Sequence, residues 1–194
     1  MYSFFAALSK LMAWLGGAML TALVLLVCAS VLGREVNGIL HADWMVDLAP
    51  GLASWLLDLG VGPVNGDFEL VEAGIAFSIF AFLPLCQLTG GHAAVDVFTN
   101  YFSDRVNRGL RLVTDIVFAA VMVLIAWQLW LGLLSKKSSG QTTFLLEMPV
   151  WWAYALSLTG AVVAALVACY IAAMRLRETV SGTVILPVDL GADH

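Results

Sequence analysis

Leu11–Leu32, LMAWLGGAMLTALVLLVCASVL, contains no charged residue, and its reading decides the fold. A helix rises about 1.5 Å per residue, so a run of about 22 residues crosses the roughly 30 Å hydrocarbon layer of a bilayer. Lys10 precedes the run and Arg34 follows it. A cleaved signal peptide has an apolar core of only about 7–15 residues, so the run reads as a retained membrane span. Composition agrees: 61% of the chain is hydrophobic and 12% charged, whereas soluble domains carry roughly 25% charged residues. The net charge of −5 argues against a nucleic-acid partner. Cys28, Cys86 and Cys169 all sit in apolar runs, where a free thiol packs as a small hydrophobe. Their spacing suits neither a disulfide framework nor a metal site.

Working outward, three further apolar runs read as spans, at about 70–88, 112–134 and 149–174. Asp67 is placed to cap the second, and Glu69 and Glu72 suit its positive N-terminal end. Pro84 frees the carbonyl of Phe80 and predicts a kink. Pro149 suits the first turn of the fourth span. Trp127 and Trp130 mark one end of the third span, and Trp151 and Trp152 mark the neighbouring end of the fourth, as in an interfacial aromatic belt. The connection 34–67 is acidic, with Glu35, Asp43, Asp47, Asp58 and Asp67 against Arg34 alone. Its apolar residues, Trp44, Leu48, Trp55 and Leu59 among them, predict one or two short helices at headgroup depth or, equally, a packed extramembrane loop.

The polar interruption Gly90–Asp115, GGHAAVDVFTNYFSDRVNRGLRLVTD, carries the densest arginine cluster. As a helix, it sets Val95, Phe98, Phe102, Val106 and Leu110 on one face, and Asp96, Asn100, Asp104, Arg108 and Arg111 on the other. That pattern predicts an amphipathic interfacial helix over the 90–111 connection. The fold class expected is therefore an all-α integral membrane protein with four transmembrane helices plus interfacial amphipathic helices. Four spans place both termini on one side. Lys10, Arg105, Arg108, Arg111, Arg175 and Arg177 share that side, and Arg34, Lys136 and Lys137 lie on the other. The positive-inside bias predicts cytoplasmic termini, a cytoplasmic 90–111 connection and an outward-facing 34–67 connection.

The remaining polar groups admit few chemistries. Asp115 lies about one turn into the third span, with Arg111 four residues earlier on the same face. A local structural pair is favoured over a proton- or ion-carrying role. Arg34 falls at the depth of Glu69 and Glu72, which predicts an ion pair between the first two spans; independently solvated charges are the plainer reading. His92 and Asp96 supply two metal ligands where a site needs three or four, so an interfacial hydrogen bond is the simpler account. No histidine lies in a span to hold a haem. Nucleophile elbows, phosphate loops and metalloprotease helices are absent from the sequence, and no enzyme is expected.

These residues together resemble the DctQ-type small permease subunit of tripartite ATP-independent periplasmic (TRAP) transporters. The most specific part is Gly91-His92 followed by Val95-Asp96, then Arg105, Arg108 and Leu110, which is similar to the family's G-H-x-x-V-D segment and trailing arginines. Gly66-Asp67-Phe68-Glu69-Leu70 resembles the acidic entry to the second helix. Arg34 and Pro149-Val150-Trp151-Trp152 also fit, whereas the 34–67 connection is longer than the family's usual one. The resemblance implies a bacterial inner-membrane, multi-pass scaffold subunit without a cofactor of its own. It implies a large permease subunit carrying the substrate and sodium sites, and a periplasmic binding protein delivering an organic acid. On this reading the small residues Gly16, Gly17 and Ala18, and Gly160, Ala161, Ala164 and Ala165, allow close helix contact with the partner or, equally, within the chain. The competing hypotheses are an autonomous four-span transporter or channel using Glu72 and Asp115, and a haem protein.

Overall fold

A computed structural model describes residues 2–91 and 104–181, with the side chains of Asp104 and Arg105 left aside. Six helices follow in order: α1 (Tyr2–Leu40), α2 (Asp43–Leu48), α3 (Pro50–Asp58), α4 (Asp67–Thr89), α5 (Asp104–Ser139) and α6 (Trp151–Ser181). Four of them, all but α2 and α3, are long and apolar enough to cross a membrane. The predicted spans 11–32, 70–88 and 112–134 fall inside three of these, and the fourth, 149–174, begins two residues before α6. With 39 residues, α1 is about 58 Å long, and α4 with 23 is about 34 Å. Only α4 is close to the membrane's own thickness; the others run past it.

Three expectations about element ends need correction. Asp104–Arg111 is not a helix separate from the third span, because α5 runs unbroken from Asp104 to Ser139. The rest of the predicted interfacial helix lies outside the described residues. Asp67 is the first residue of α4 rather than its cap; Gly66 holds the cap position with a left-handed φ of 76°. Pro149 precedes α6, bridged to Thr142 across a tight hairpin.

Packing runs α1 on α4, α4 on α6 and α6 on α5, with lighter contact between α1 and α6. The pairing is made close by small residues. On α6, Gly160, Ala161, Ala164, Ala165 and Ala168 are all buried. A Cβ on Gly160 would stand 2.8 Å from the Cβ of Phe80 and 3.2 Å from the Ala81 nitrogen. Gly16 is likewise pressed against Ala81 of α4, where Ser78 also donates to its carbonyl at 3.3 Å. Of the two readings of these residues, contact within the chain accounts for Gly16 and the α6 set, whereas a Cβ added at Gly17 would meet nothing within 4 Å and Ala18 is exposed.

Register follows from the same contacts. Ser30 meets Asp67 and Leu23 meets Gly74, so α1 and α4 run antiparallel. Leu146 meets Gly66 and Phe80 meets Gly160, so α4 and α6 run parallel. Tyr154 meets Gly132 and Arg175 meets Asp115, so α5 and α6 run antiparallel. The helices α2 and α3 fold back beside the far end of α1, where Leu40 and Ala53 are buried. They display Trp44, Leu48, Trp55 and Leu59 at the surface.

Candidate functional site

The described charged side chains lie toward the two ends of the bundle, and a hydrogen-bonded clasp forms at each. At the Asp67 end, the Ser30 hydroxyl donates to the Asp67 carboxylate and accepts from the Val64 N–H at 3.2 Å. Asp67 also accepts from the Phe68 N–H at 2.7 Å. Two turns along α1 from Ser30, the Asn37 amide donates to the Val61 carbonyl at 3.0 Å, and between them Gly33 lies so close to the Gly62 carbonyl that no side chain fits. The chain before α4 is thus stitched along α1 by Ser30, Gly33 and Asn37.

Glu69 completes this end. Its two oxygens accept from the backbone N–H of Leu145 at 2.8 Å and of Leu146 at 3.0 Å. Both donors sit at the tip of the 141–150 hairpin joining α5 to α6. The hairpin is closed by Thr143 N–H to the Met148 carbonyl at 2.9 Å and Val150 N–H to the Gln141 carbonyl at 3.0 Å. Gly66 receives the Leu146 side chain where a Cβ would stand, and its positive φ also disfavours any other residue. The predicted Arg34 ion pair with Glu69 or Glu72 is therefore replaced: backbone amides claim Glu69, and a serine–aspartate bond joins α1 to α4. Arg34 and Glu72 are both exposed.

Trp151 and Trp152 stand at the same end, ring against ring at 6.2 Å and nearly perpendicular. Lys137 lies 5.4 Å over the Trp151 ring, a cation–π contact, and Lys136 donates to the Gln141 side chain at 2.7 Å.

The opposite end is built on Asp115. Its carboxylate accepts from the Gln87 amide of α4 at 3.0 Å and stands 3.3 Å from the Arg175 guanidinium of α6. Arg175 also reaches Glu178 at 3.3 Å on its own helix. Asp115, whose expected local partner Arg111 lies one turn before it on α5, also has partners on two other helices, and three helices meet at one carboxylate. Arg108 and Arg111 are exposed on α5, two turns and one turn before it. Gly91 is exposed just past the left-handed Gly90 that ends α4. His92 and Asp96 lie outside the described residues, as does the side chain of Arg105.

Sequence reading missed Gln87 and Ser30 as members of these clasps and used Arg175 only for orientation. The signals were present: Ser30 interrupts the first apolar run, and Gln87 is a lone amide near the end of the second. Both are buried, at 0% and 8% exposure, and buried polar groups need partners. No group of three or more candidate metal ligands occurs among the described residues.

Chemically, the arrangement fastens helices. Gln87, the α4 partner of Asp115, lies fifteen residues along α4 from Glu72, or about 22 Å, and every residue between them is uncharged. Comparison with known proteins bears on such a scaffold: a family model described as "Tripartite ATP-independent periplasmic transporters, DctQ component" matches residues 23–178. No curated protein and no solved structure matches.

Proposed function

The chain belongs to the DctQ component family of tripartite ATP-independent periplasmic transporters, and on that premise we propose that it is the small membrane subunit that braces the large permease subunit. The family is a transporter component rather than an enzyme family, and the four apolar helices make this a multi-pass membrane protein. In the proposed complex, the large subunit carries the substrate and sodium sites, and a periplasmic binding protein delivers an organic acid. This chain sits in the bacterial inner membrane with both termini in the cytoplasm and brings no cofactor. The α2–α3 segment then faces the periplasm.

The observation that carries this reading is the distribution of polar groups. Charges that could relay a solute lie at the two ends, and Asp115 is already engaged by Gln87 and Arg175. The two carboxylates that an autonomous carrier would use are separated by about 22 Å of uncharged helix. Such a body suits a fixed support that holds its shape while a neighbour moves. The test is reconstitution of the large subunit in proteoliposomes with and without this chain. Binding-protein-dependent uptake of a labelled organic acid under a sodium gradient is expected only when both are present. Uptake by this chain alone would eliminate the scaffold role.

A further inference from the structure

Along α4, Phe68, Glu72, Ile75, Ile79 and Phe82 fall at helical spacing on one face, and all five are exposed. From Phe68 to Ile79 this face turns away from α1 and α6, whose contacts are made by Gly74, Phe77, Ser78 and Ala81, while Phe82 at its edge borders Gly16 of α1. Glu72 is its one charged member. Two rulers give its depth. The antiparallel register sets it level with Leu25, well inside the uncharged run of α1; the parallel register sets it level with Trp152 on α6. Both place the carboxylate at or inside the aromatic belt rather than out in water.

The groups at that level do not serve it. Among the described residues Glu72 has no hydrogen-bond or ion-pair partner. On its own helix, Asp67 and Glu69 are also acidic and are bound to Ser30, Phe68, Leu145 and Leu146. From α5, the nearest cations by register are Lys136 and Lys137, held by Gln141 and Trp151. Arg34 of α1 lies nine residues, or about 13 Å, beyond Leu25. A carboxylate left facing acyl chains is costly, and such groups turn toward protein and pair.

We propose that the outward face of α4 is the surface on which the large membrane subunit docks, and that this neighbour presents a lysine or arginine to Glu72 near the aromatic belt. The proposal rests on the scaffold reading above and adds to it the face used and the chemistry of its complement. Charge complementarity selects the occupant: the corresponding outward stripe of α6, with Val162, Leu166 and Cys169 exposed, contains no charge and suits lipid.

The test uses the co-expressed complex of this chain with the large subunit. Benzoylphenylalanine placed at Ile79 should photo-crosslink to the large subunit, and the same probe at Leu166 should not. Glu72→Gln should leave the melting temperature of the isolated chain unchanged, since the carboxylate has no partner there, yet speed dissociation of the complex by about tenfold or more, as for a buried interfacial charge pair that loses one member. Adducts from Leu166 alone, or from both positions equally, would overturn the assignment of the face while leaving the scaffold role intact. If the large subunit does not co-purify with this chain at all, the scaffold role fails and the docking face with it. A Glu72→Gln effect that disappears when phosphatidylethanolamine is replaced by phosphatidylglycerol would assign the carboxylate to a lipid ammonium, and dissociation that ignores Glu72→Gln in both lipids would leave it without a role at the interface; either result overturns the proposal.

Discussion

At the residue scale, the side chain that matters most is Asp115. Breaking a fully buried ion pair by removing one partner costs about 3–5 kcal/mol. The Asp115 and Arg175 side chains are 16% and 19% exposed, so Asp115→Ala should cost about 2 kcal/mol, toward or below the foot of that range. Thermal unfolding in detergent of Asp115→Ala, Arg175→Ala and the double variant should give a coupling of about 1 kcal/mol or more, because contacting residues are non-additive. Strictly additive losses would mean that the two side chains sit side by side without sharing energy. Legibility ends at this scale. Sequence spacing shows Arg111 beside Asp115 because helical neighbours are four residues apart. It does not show Arg175, which only the α5–α6 register brings near. Ser30 and Asp67, 37 residues apart, escape for the same reason.

At the scale of the element, the helices were legible because each apolar run is about as long as lipid demands or longer, and α1, α4, α5 and α6 cover the four predicted runs except residues 149 and 150. Their ends were not. Hydropathy reports where lipid stops, whereas backbone hydrogen bonding carries α1 on to Leu40 and starts α5 at Asp104. The tightest element contact is α4 on α6 at Gly160. Replacing it with leucine drives a side chain into the backbone at Phe80 and Ala81. Overpacking of this kind costs typically about 1–3 kcal/mol, and Gly160→Leu should lower the melting temperature accordingly. Gly17→Leu, at a position where an added Cβ meets nothing within 4 Å, should leave the isolated chain unchanged. Equal effects from both substitutions would show that α4 and α6 can separate freely.

For the whole molecule, the two ends carry opposite charge character. Glu35, Asp43, Asp47, Asp58, Asp67 and Glu69 crowd one end; Arg108, Arg111, Arg175 and Arg177 mark the other. With the proposed cytoplasmic termini, Asp58→Cys should react with a membrane-impermeant maleimide from the periplasmic side, and Thr179→Cys only after the inner face is opened. Both native residues are exposed. The reverse labelling pattern would invert the topology. The docking face on α4 was hidden in the sequence for a related reason. Glu72 looked like one of two acidic residues at a helix entry, and only the capture of Glu69 by the hairpin separates their fates.

That capture sets an order of assembly. The stitches along α1 need nothing beyond Phe68, so the first two spans can join as soon as α4 leaves the ribosome. The amides that Glu69 accepts from come 76 and 77 residues after it. At roughly 5–20 residues per second of synthesis, the carboxylate waits on the order of 4–15 seconds for its ligands to be made. With the proposed cytoplasmic termini, the last turn of the chain to be threaded outward is the one that holds Glu69, and the newborn protein gains this join only after the bend into α6 has been made.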